Sequence, residues 1–528
     1  MFSRLCTFRD KLYDLISHRK AATINLIDAN TGSNNAESPT QLSLSPSFRR
    51  KYNSITKVIS EFKLNGDPKE SKDIPADDRT KLFRLEKEFI EPDDKNHFTF
   101  AMDTTPQPRR HSPKLNDKSV VYYPNSAPGN NPIVVGHSYS LLAYLPERQG
   151  NSPWIAPLDL RRVSTDEKGT QVGMQQLFDW IDANPDLPPD SLYIGIGDSA
   201  YSSLANQQQV EERTQQDTVL ISRIPPRRNI YRLIASGHRK YGEKMMLKDQ
   251  KTHFAYDQQI SFPSQLKNGK QVEVTVTVWR DVVRRGTNKF KGYEHPFDLY
   301  RCTVTDPQTK KSVYAKPLWL TVFGKRRAEL SLEQIYHKYQ ERPAVEHFFR
   351  FAKQHLLIAS FQTPVTEHEE NWWLIALLSY WQLYLAKDEI QGLPHPWEKY
   401  APHFKRPQAE SSPSSVKRCF DAVLREIGTP AHEVLPAVAG SGRQAGETQE
   451  PRKNHKVIFK SEKPKKEDKK KVDTAKNSKL PGCKKEGDIS HPESLDKIAN
   501  TVRKLAHDNG CDISDLIKKL SEPSPVPG

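Results

Sequence analysis

The chain contains few cysteines and no long hydrophobic run. Its five cysteines are scattered over 528 residues without a Cys-x-x-Cys pair or a Cys/His cluster, at Cys6, Cys302, Cys419, Cys483 and Cys511. This spacing argues against a disulfide-bonded fold and a structural zinc site, and it fits a reducing compartment. The most apolar stretch, residues 372–386, is 15 residues long. A membrane span needs about 20 residues, so we predict a buried core helix there.

The amino-terminal 20 residues also lack an apolar signal core, so we expect neither secretion nor membrane insertion. Hydrophobic residues make up only 35% of the chain, and the net charge is +15. A charge of this size favours a polyanionic partner, either nucleic acid or an anionic membrane surface. However, residues 451–487 carry 14 Lys and Arg against 5 Asp and Glu, a net charge of +9. Such a run is typical of a disordered tail, so the total charge does not identify the partner.

Changes in composition and periodicity divide the chain into six predicted segments. They are a helical N-terminal region (1–94), the first part of an α/β core (95–217), a β-rich insertion (218–324), the second part of the core (325–392), a Pro/Ser/Lys-rich linker and basic tail (393–488) and a short C-terminal helical segment (489–528). The N-terminal region is either a small helical bundle or a module that binds DNA ends. The second possibility rests on its basic residues Arg49, Arg50, Lys51 and Lys57.

Residues 97–198 show a mixed α/β order. Apolar runs at 97–103, 136–145, 154–163 and 191–198 predict strands, and residues 174–185 have helical spacing. Three strands, a helix and a further strand indicate a mixed α/β core rather than an all-helical or all-β domain. The strict alternation of valines in residues 272–279 predicts that the following block is rich in β-strands.

Two predicted strands end in an aspartate, Asp103 after FTFAM and Asp198 after YIGIG. A carboxylate at the end of a buried strand is poorly solvated and needs a partner or a cation. Hard divalent cations such as Mg²⁺ prefer oxygen ligands. Either aspartate alone is more simply an ordinary turn residue.

The segment around Asp198 also matches G-x-G-x-x-A, from Gly195 to Ala200. This pattern after a strand is typical of dinucleotide-binding folds. An acid within the phosphate-binding turn would repel a pyrophosphate, and the expected acid after the next strand is missing. We therefore rejected a dinucleotide site.

A third element places polar residues on one helix face. Tyr339, Arg342, Glu346 and Lys353 have spacings of 3, 4 and 7 residues, which align them on a helix unless Pro343 starts a new one. A solvated charged face would explain Arg342 and Glu346 as an ordinary i,i+4 pair. It would not explain why Tyr339 and Lys353 lie on the same predicted helix face as this pair.

These four residues resemble the Y-(2)-R-(3)-E-(6)-K signature of bacterial insertion-sequence transposases of the Asp-Asp-Glu type, at every position. In that family the two aspartates end the first and fourth strands of a ribonuclease-H-like fold, and a β-rich insertion separates the second aspartate from the glutamate. Here Asp103 and Asp198 are 95 residues apart, and Glu346 follows 148 residues later. The resemblance covers about residues 95–390. It implies a ribonuclease-H-like mixed sheet with a β-rich insertion, to which we add the helical N-terminal region and the basic disordered tail.

The resemblance also implies roles for these residues. Asp103, Asp198 and Glu346 would be catalytic and would hold two Mg²⁺ or Mn²⁺ ions for phosphodiester cleavage. Tyr339, Arg342 and Lys353 would contact DNA phosphates near the cut. Three converging carboxylates should repel one another without metal, so we expect one raised pKa among them.

Three further residues have weaker assignments. Trp319 stands where related transposases carry an aromatic residue that stacks on a flipped base, but a core tryptophan is the alternative. Arg109 and Arg110, just after the first catalytic strand, either meet DNA or belong to an exposed loop.

The sequence therefore predicts a cut-and-paste DNA transposase that acts on the inverted-repeat ends of its own element. Its expected partners are DNA and a second copy of the chain, without a membrane, in the bacterial cytoplasm at the nucleoid. The rival interpretations are a metal-dependent nuclease without strand transfer, an inactive transposase-derived DNA-binding protein, and a basic α/β protein whose matches are accidental.

Overall fold

The structure is a computed structural model of the whole chain. It describes residues 2–459 except 65–77, 111, 124–131, 148–152, 214, 216, 235–239, 267–268, 287–289, 391–399, 401–410, 433–445, 447 and 449. Residues Met1–Lys460 form one compact unit, and all the described residues belong to it. The predicted C-terminal helical segment, 489–528, lies outside the described residues, as does most of the basic run 451–487.

In the described residues helices come first, strands interrupted by two helices follow, and helices return at the end, much as the sequence predicts. The helices are α1 Ser3–Leu15, α2 Lys20–Gly32, α3 Asn53–Glu61, α4 Asp78–Lys87, α5 Gly169–Ala183, α6 Leu204–Glu212, α7 Leu332–Gln340, α8 Pro343–His355, α9 Thr366–Ala386 and α10 Pro413–Ile427. The strands are β1 His97–Pro108, β2 Ser119–Tyr122, β3 Ile133–Tyr144, β4 Ala156–Val163, β5 Leu192–Gly197, β6 Thr218–Arg223, β7 Asn229–Leu233, β8 Tyr241–Met246, β9 Gln258–Gln265, β10 Gln271–Val283, β11 Phe297–Thr305 and β12 Leu318–Phe323.

The strands form one mixed sheet in the order β2-β3-β1-β5-β6-β12-β11-β10-β7-β8, with β4 paired to β3 and β9 to β10. Strands β1, β5 and β6 are parallel, and the other pairings are antiparallel. All six residues of β5 are buried, as expected for a central parallel strand covered on both faces. Because the parallel pairing of β1 and β5 ends at Ala101 and Ile196, the residues just beyond these two lie at the same edge of the sheet.

The first strand is longer than the sequence indicates. We predicted that it ends at Asp103, but β1 continues to Pro108 because β3 pairs with it as far as Gly136. The parallel pairing with β5 does stop earlier, at Ala101 opposite Ile196. Asp103 therefore lies where the parallel ladder ends, within a strand that continues along β3.

The β-rich insertion extends the core sheet. Strand β6 lies inside the predicted insertion, yet it pairs in parallel with β5 and so belongs to the core. Strand β12 returns antiparallel to β6, and β11 and β10 continue the ladder. The insertion proper thus begins after Arg223, the last residue of β6, and is continuous with the core through hydrogen bonds.

The helices after the insertion cover the site and the core. Pro343 starts a new helix, α8, directly after α7 ends at Gln340, since proline is favoured in the first helical turn. Helix α9 is buried along residues 372–386 and packs on β4 and on α2. The prediction of a buried core helix there is confirmed. Across the described residues, no helix is both long and apolar enough to cross a membrane.

The N-terminal helices pack against the core. Helices α1, α2 and α3 all contact α9. Arg49 donates to the carbonyl oxygens of Ala431 and His432, and Arg50 donates to Asn25. These two arginines of the possible DNA-end-binding module therefore have partners inside the protein.

Part of the segment expected to be a linker is folded. Helix α10 packs on α2 and α9, and the Nζ atom of buried Lys417 donates to the carbonyls of Asn30 and Thr31 at 2.6 and 3.0 Å. A lysine at this place satisfies carbonyls at the C-terminal end of α2. The large mixed sheet and the N-terminal helices confirm the predicted α/β class and are consistent with a ribonuclease-H-like fold.

Candidate active site

Two acids meet at one edge of the sheet because their strands are neighbours. Asp103 leaves the parallel ladder two residues after Ala101, and Asp198 directly follows β5. Glu346 lies in the first turn of α8, and it acts electrostatically on Asp103, as Asp198 does. The structure thus places Asp103 within electrostatic range of the other two acids that the sequence predicts to be catalytic.

Asp103 is the most constrained of the three. Its side chain is 18% exposed, and its two oxygens accept from the Thr104 amide and from Arg342 Nη2, each at 2.8 Å. Burial raises the pKa of Asp103 to about 6; Arg342 opposes this shift, whereas the Asp198 and Glu346 carboxylates add to it. The expected raised pKa is therefore present. Its main cause is burial, with repulsion between the acids a smaller contribution.

Arg342 connects the strand acid to the helix acid. It lies at the joint between α7 and α8, with Nη1 3.1 Å from Glu346 Oε1 and Nη2 on Asp103. Burial opposes its charge, but Asp103 and the other nearby acids raise its pKa above the ordinary value. Its Nε atom is buried and has no hydrogen-bond partner. The i,i+4 pair between Arg342 and Glu346 is therefore present, and Arg342 forms a second ion pair with Asp103.

The other two acids are held less firmly. Asp198 accepts a hydrogen bond from the amide of Ala200 at 2.8 Å, which closes the turn after β5. The side chain of Glu346 is 60% exposed. A carboxylate this exposed can reorient, so Glu346 is the acid most able to change its position.

Tyr339 and Lys353 flank Glu346 in the sequence, but neither side chain is free. Tyr339 is 9% exposed, and burial raises its pKa. Lys353 Nζ donates to Thr105 Oγ1 at 2.6 Å and to the Pro106 carbonyl at 3.1 Å. Burial lowers the pKa of Lys353 to about 8. In this structure Lys353 thus braces β1 rather than pointing into solvent.

Trp319 is buried. It is 2% exposed, and its ring centroid lies 5.7 Å from that of Trp279 and 5.5 Å from that of His253. Its neighbour Leu320 pairs with Arg223, the last residue of β6, so Trp319 lies towards the sheet edge at which β5 leads into Asp198. This packing favours the core alternative considered from the sequence. Base stacking by Trp319 would require it to leave its ring cluster.

Sequence reasoning missed Tyr201. Its ring is 2% exposed and lies against Gly197, where an added Cβ would overlap the ring. Gly195 is similarly crowded by the side chains of Met102 and Leu177. The glycines of the G-x-G pattern are therefore explained by close packing around the acid-bearing strand, which agrees with our rejection of a dinucleotide site.

Sequence reasoning also missed Arg223, and it assigned Arg109 wrongly. Arg223 is exposed at the end of β6, one residue past the Gly197–Ser222 pairing, and acts electrostatically on Tyr339. Its position at the end of a predicted strand is the sequence feature that could have identified Arg223 as a residue at the site.

Arg109 is 1% exposed and bound to Glu369 in the core, so the exposed-loop and DNA-contact assignments for it are both wrong.

The donor chemistry of the three acids fits a hard divalent cation, since all the ligands would be carboxylate oxygens. Their present arrangement does not. Among the residues that the structure describes, no group of three or more His, Cys, Asp or Glu side chains is placed so that it could hold a metal ion. Arg342 occupies the region between Asp103 and Glu346 instead.

Comparison with known families supports the resemblance. Residues 158–382 match the family model described as the transposase DDE domain. The matched region contains Asp198, Glu346 and Arg342, whereas Asp103 precedes it and is placed at the site by the sheet geometry. None of the curated proteins compared matches the chain closely enough to count as a relative. The chain is thus similar to DDE transposases over residues 158–382, on a fold of the expected class.

Proposed function

We propose that the protein is a cut-and-paste transposase of a bacterial insertion sequence, which cleaves DNA at the inverted-repeat ends of its element and joins them to target DNA. One observation carries this proposal. Asp103 and Asp198 lie just past the end of the parallel ladder between β1 and β5, and Glu346 is connected to Asp103 through Arg342. The observation fits a site that places three carboxylates around a scissile phosphate.

The three acids would be the metal ligands. Two Mg²⁺ or Mn²⁺ ions, when bound, would supply the activation of water or a DNA 3′-hydroxyl and the stabilisation of the leaving oxygen. Asp103 and Asp198 offer ligands from rigid strands, and exposed Glu346 completes the set from α8. Each acid must be ionised for this role, so the raised pKa of Asp103 favours metal binding at neutral or higher pH.

The basic and aromatic residues would position DNA. Arg342 has a planar fork that matches a phosphate, and Lys353 supplies a point charge on the same helix. Tyr339 would hydrogen-bond close to the cut, and Trp319 would stack on an unpaired base once it is released from its ring cluster. Synapsis of two element ends implies a homodimer on DNA, acting at the nucleoid in the bacterial cytoplasm.

The test is strand transfer with a pre-cleaved end. A duplex made from the inverted repeat that flanks the coding region, with its 3′-hydroxyl exposed, is incubated with target DNA and Mg²⁺. We expect a joined product with the wild type and at least a 100-fold loss with Asp198→Asn, as for loss of an essential group. Asp94→Asn, in an exposed position, is the matched control. Cleavage of intact ends without any joined product would favour the nuclease instead.

Metal binding gives a second measurement that does not depend on activity. Mg²⁺ should raise the melting temperature of the wild type, because ligands that bind only the folded state stabilise it. The shift should be smaller for Glu346→Gln, which loses one ligand. Equal shifts in the two proteins would contradict the assignment of Glu346 to the metal site.

A further inference from the structure

Arg342 contacts two of the three acids that the proposed function requires for metal binding. Its fork donates to Asp103 Oδ2 and to Glu346 Oε1, at 2.8 and 3.1 Å. The second oxygen of Asp103 already accepts from the Thr104 amide. A guanidinium and a divalent cation repel each other at this range, so Arg342 must move before metal binds to these oxygens.

This contact explains why suitable ligands do not form a metal site. The carboxylates are of the right type, yet within the described ranges no three acidic or metal-binding side chains converge on one point. Arg342 supplies the positive charge that a metal would otherwise supply, and it is only 15% exposed there. In this structure the charges of Asp103 and Glu346 are thus balanced by a side chain of the protein itself, Arg342.

Arg342 is also able to exchange this partner for another. It lies at the junction of α7 and α8, where its backbone has helical angles. Its Nε atom has no partner in the present position. A DNA phosphate offers a planar guanidinium two or more charge-assisted hydrogen bonds, which can replace those made to the acids.

We propose that Arg342 is an internal counter-cation that keeps the acids unassembled in the DNA-free protein, and that a DNA phosphate removes it. DNA binding and metal binding are then positively coupled through one side chain. This inference rests on the proposed function, because it assumes that the acids hold metal and that the edge binds DNA. Its consequence is that the free enzyme is poorly loaded with metal, which restrains cleavage of DNA that is not properly seated.

The coupling can be measured with Mn²⁺ as the probe. Mn²⁺ affinity of the full chain is determined by electron paramagnetic resonance, with and without a 30-base-pair duplex of arbitrary sequence, since phosphate contacts do not depend on sequence. We expect the duplex to tighten Mn²⁺ binding to the wild type by about 5-fold or more, within the usual range of coupling between sites. Linkage requires Mn²⁺ to tighten duplex binding by the same factor.

The decisive variant is Arg342→Gln, with Arg350→Gln as the matched control. Arg350 is exposed on the same helix, so its loss removes the same charge without freeing the acids. Without DNA, Arg342→Gln should bind Mn²⁺ about 10-fold more tightly than the wild type. Addition of the duplex should then raise the Mn²⁺ affinity of this variant only slightly. Arg350→Gln should behave like the wild type in both measurements. If Arg342→Gln does not fold by circular dichroism, Arg342→Lys should shift affinity in the same direction, because lysine lacks the fork.

Two outcomes separate the inference from the proposed function. If Mn²⁺ binding is abolished by Asp198→Asn but is unaffected by either Arg342 variant, the counter-cation role is wrong and the metal site remains. If no Mn²⁺ site sensitive to Asp198→Asn is found with or without DNA, the proposed metal-dependent function fails, and the inference fails with it.

Discussion

Two carboxylates, one on strand β1 and one on helix α9, are each bound by an arginine, yet their pKa values are shifted in opposite directions. Asp103 on β1 accepts from Arg342 and one backbone amide, and burial raises its pKa to about 6. Glu369 on α9 is fully buried; burial opposes its charge, but hydrogen bonds from His137 and Arg109 hold its pKa below the ordinary value. Arg109 lies only six residues after Asp103 in the chain.

The difference comes from the number of donors. Glu369 receives Arg109 Nε at 2.8 Å, His137 Nδ1 at 2.9 Å and the Tyr139 hydroxyl at 2.8 Å. Asp103 accepts a hydrogen bond from only one side chain, that of Arg342, and the carboxylates of Asp198 and Glu346 repel its charge. A fully satisfied buried charge holds α9 on the sheet, whereas an incompletely satisfied one can gain a ligand. The comparison therefore distinguishes a structural carboxylate from a functional one by its surroundings.

The largest expected effect is at the structural carboxylate. Arg109→Ala leaves Glu369 buried without its cation, and removal of one partner of a buried pair costs about 3–5 kcal/mol. Urea unfolding should show this loss in the free energy of unfolding. Arg110→Ala, at the exposed neighbouring residue, should change it by less than about 0.5 kcal/mol. A small effect of Arg109→Ala would mean that Glu369 is not charged in the folded protein.

At the functional carboxylate the sign should be reversed. The folded state raises the pKa of Asp103 from 3.8 to about 6, so ionisation destabilises the fold as the pH rises through this range. Asp103→Asn removes this cost and should stabilise the metal-free protein at pH 7.5 by about 2–3 kcal/mol. The gain should disappear below about pH 4, where Asp103 is neutral in both states.

This pH dependence is checked by unfolding in EDTA between pH 4 and 8. Asp94→Asn, which alters an exposed acid, should show no such trend. If Asp103→Asn were destabilising throughout the range, the carboxylate would be a structural one like Glu369, and the comparison would fail.

The smallest effect concerns a single donor to Glu369. Tyr139→Phe removes one hydrogen bond to a charged group and keeps the ring stacked on Trp373 at 3.8 Å, so we expect a loss of about 1.5 kcal/mol. Tyr122→Phe changes a tyrosine that is 65% exposed and should be neutral. Thermal unfolding of the two variants side by side would show whether the remaining donors compensate for the lost hydroxyl.

Much of the fold could be predicted because it depends on local periodicity. The buried strands before the two aspartates, the alternating valines of β10 and the continuous apolar run of α9 are visible as sequence patterns. The strand end beyond Asp103 was missed because it depends on pairing with β3, a partner more than 25 residues away. The membership of β6 in the core was missed for the same reason.

The sequence by itself determined which residue types could carry the chemistry: two acids after strands, a third on a helix, and an arginine and a lysine at helical spacing from it. Only the tertiary structure decided what those groups touch. Arg342 binds Asp103 across 239 residues of chain, Lys353 braces β1, and Arg109 is taken up by Glu369. Spacing along a helix limits which face a side chain occupies, but the partner on that face is brought there by distant strands. Its burial then decides whether the charge is satisfied or remains available for a ligand.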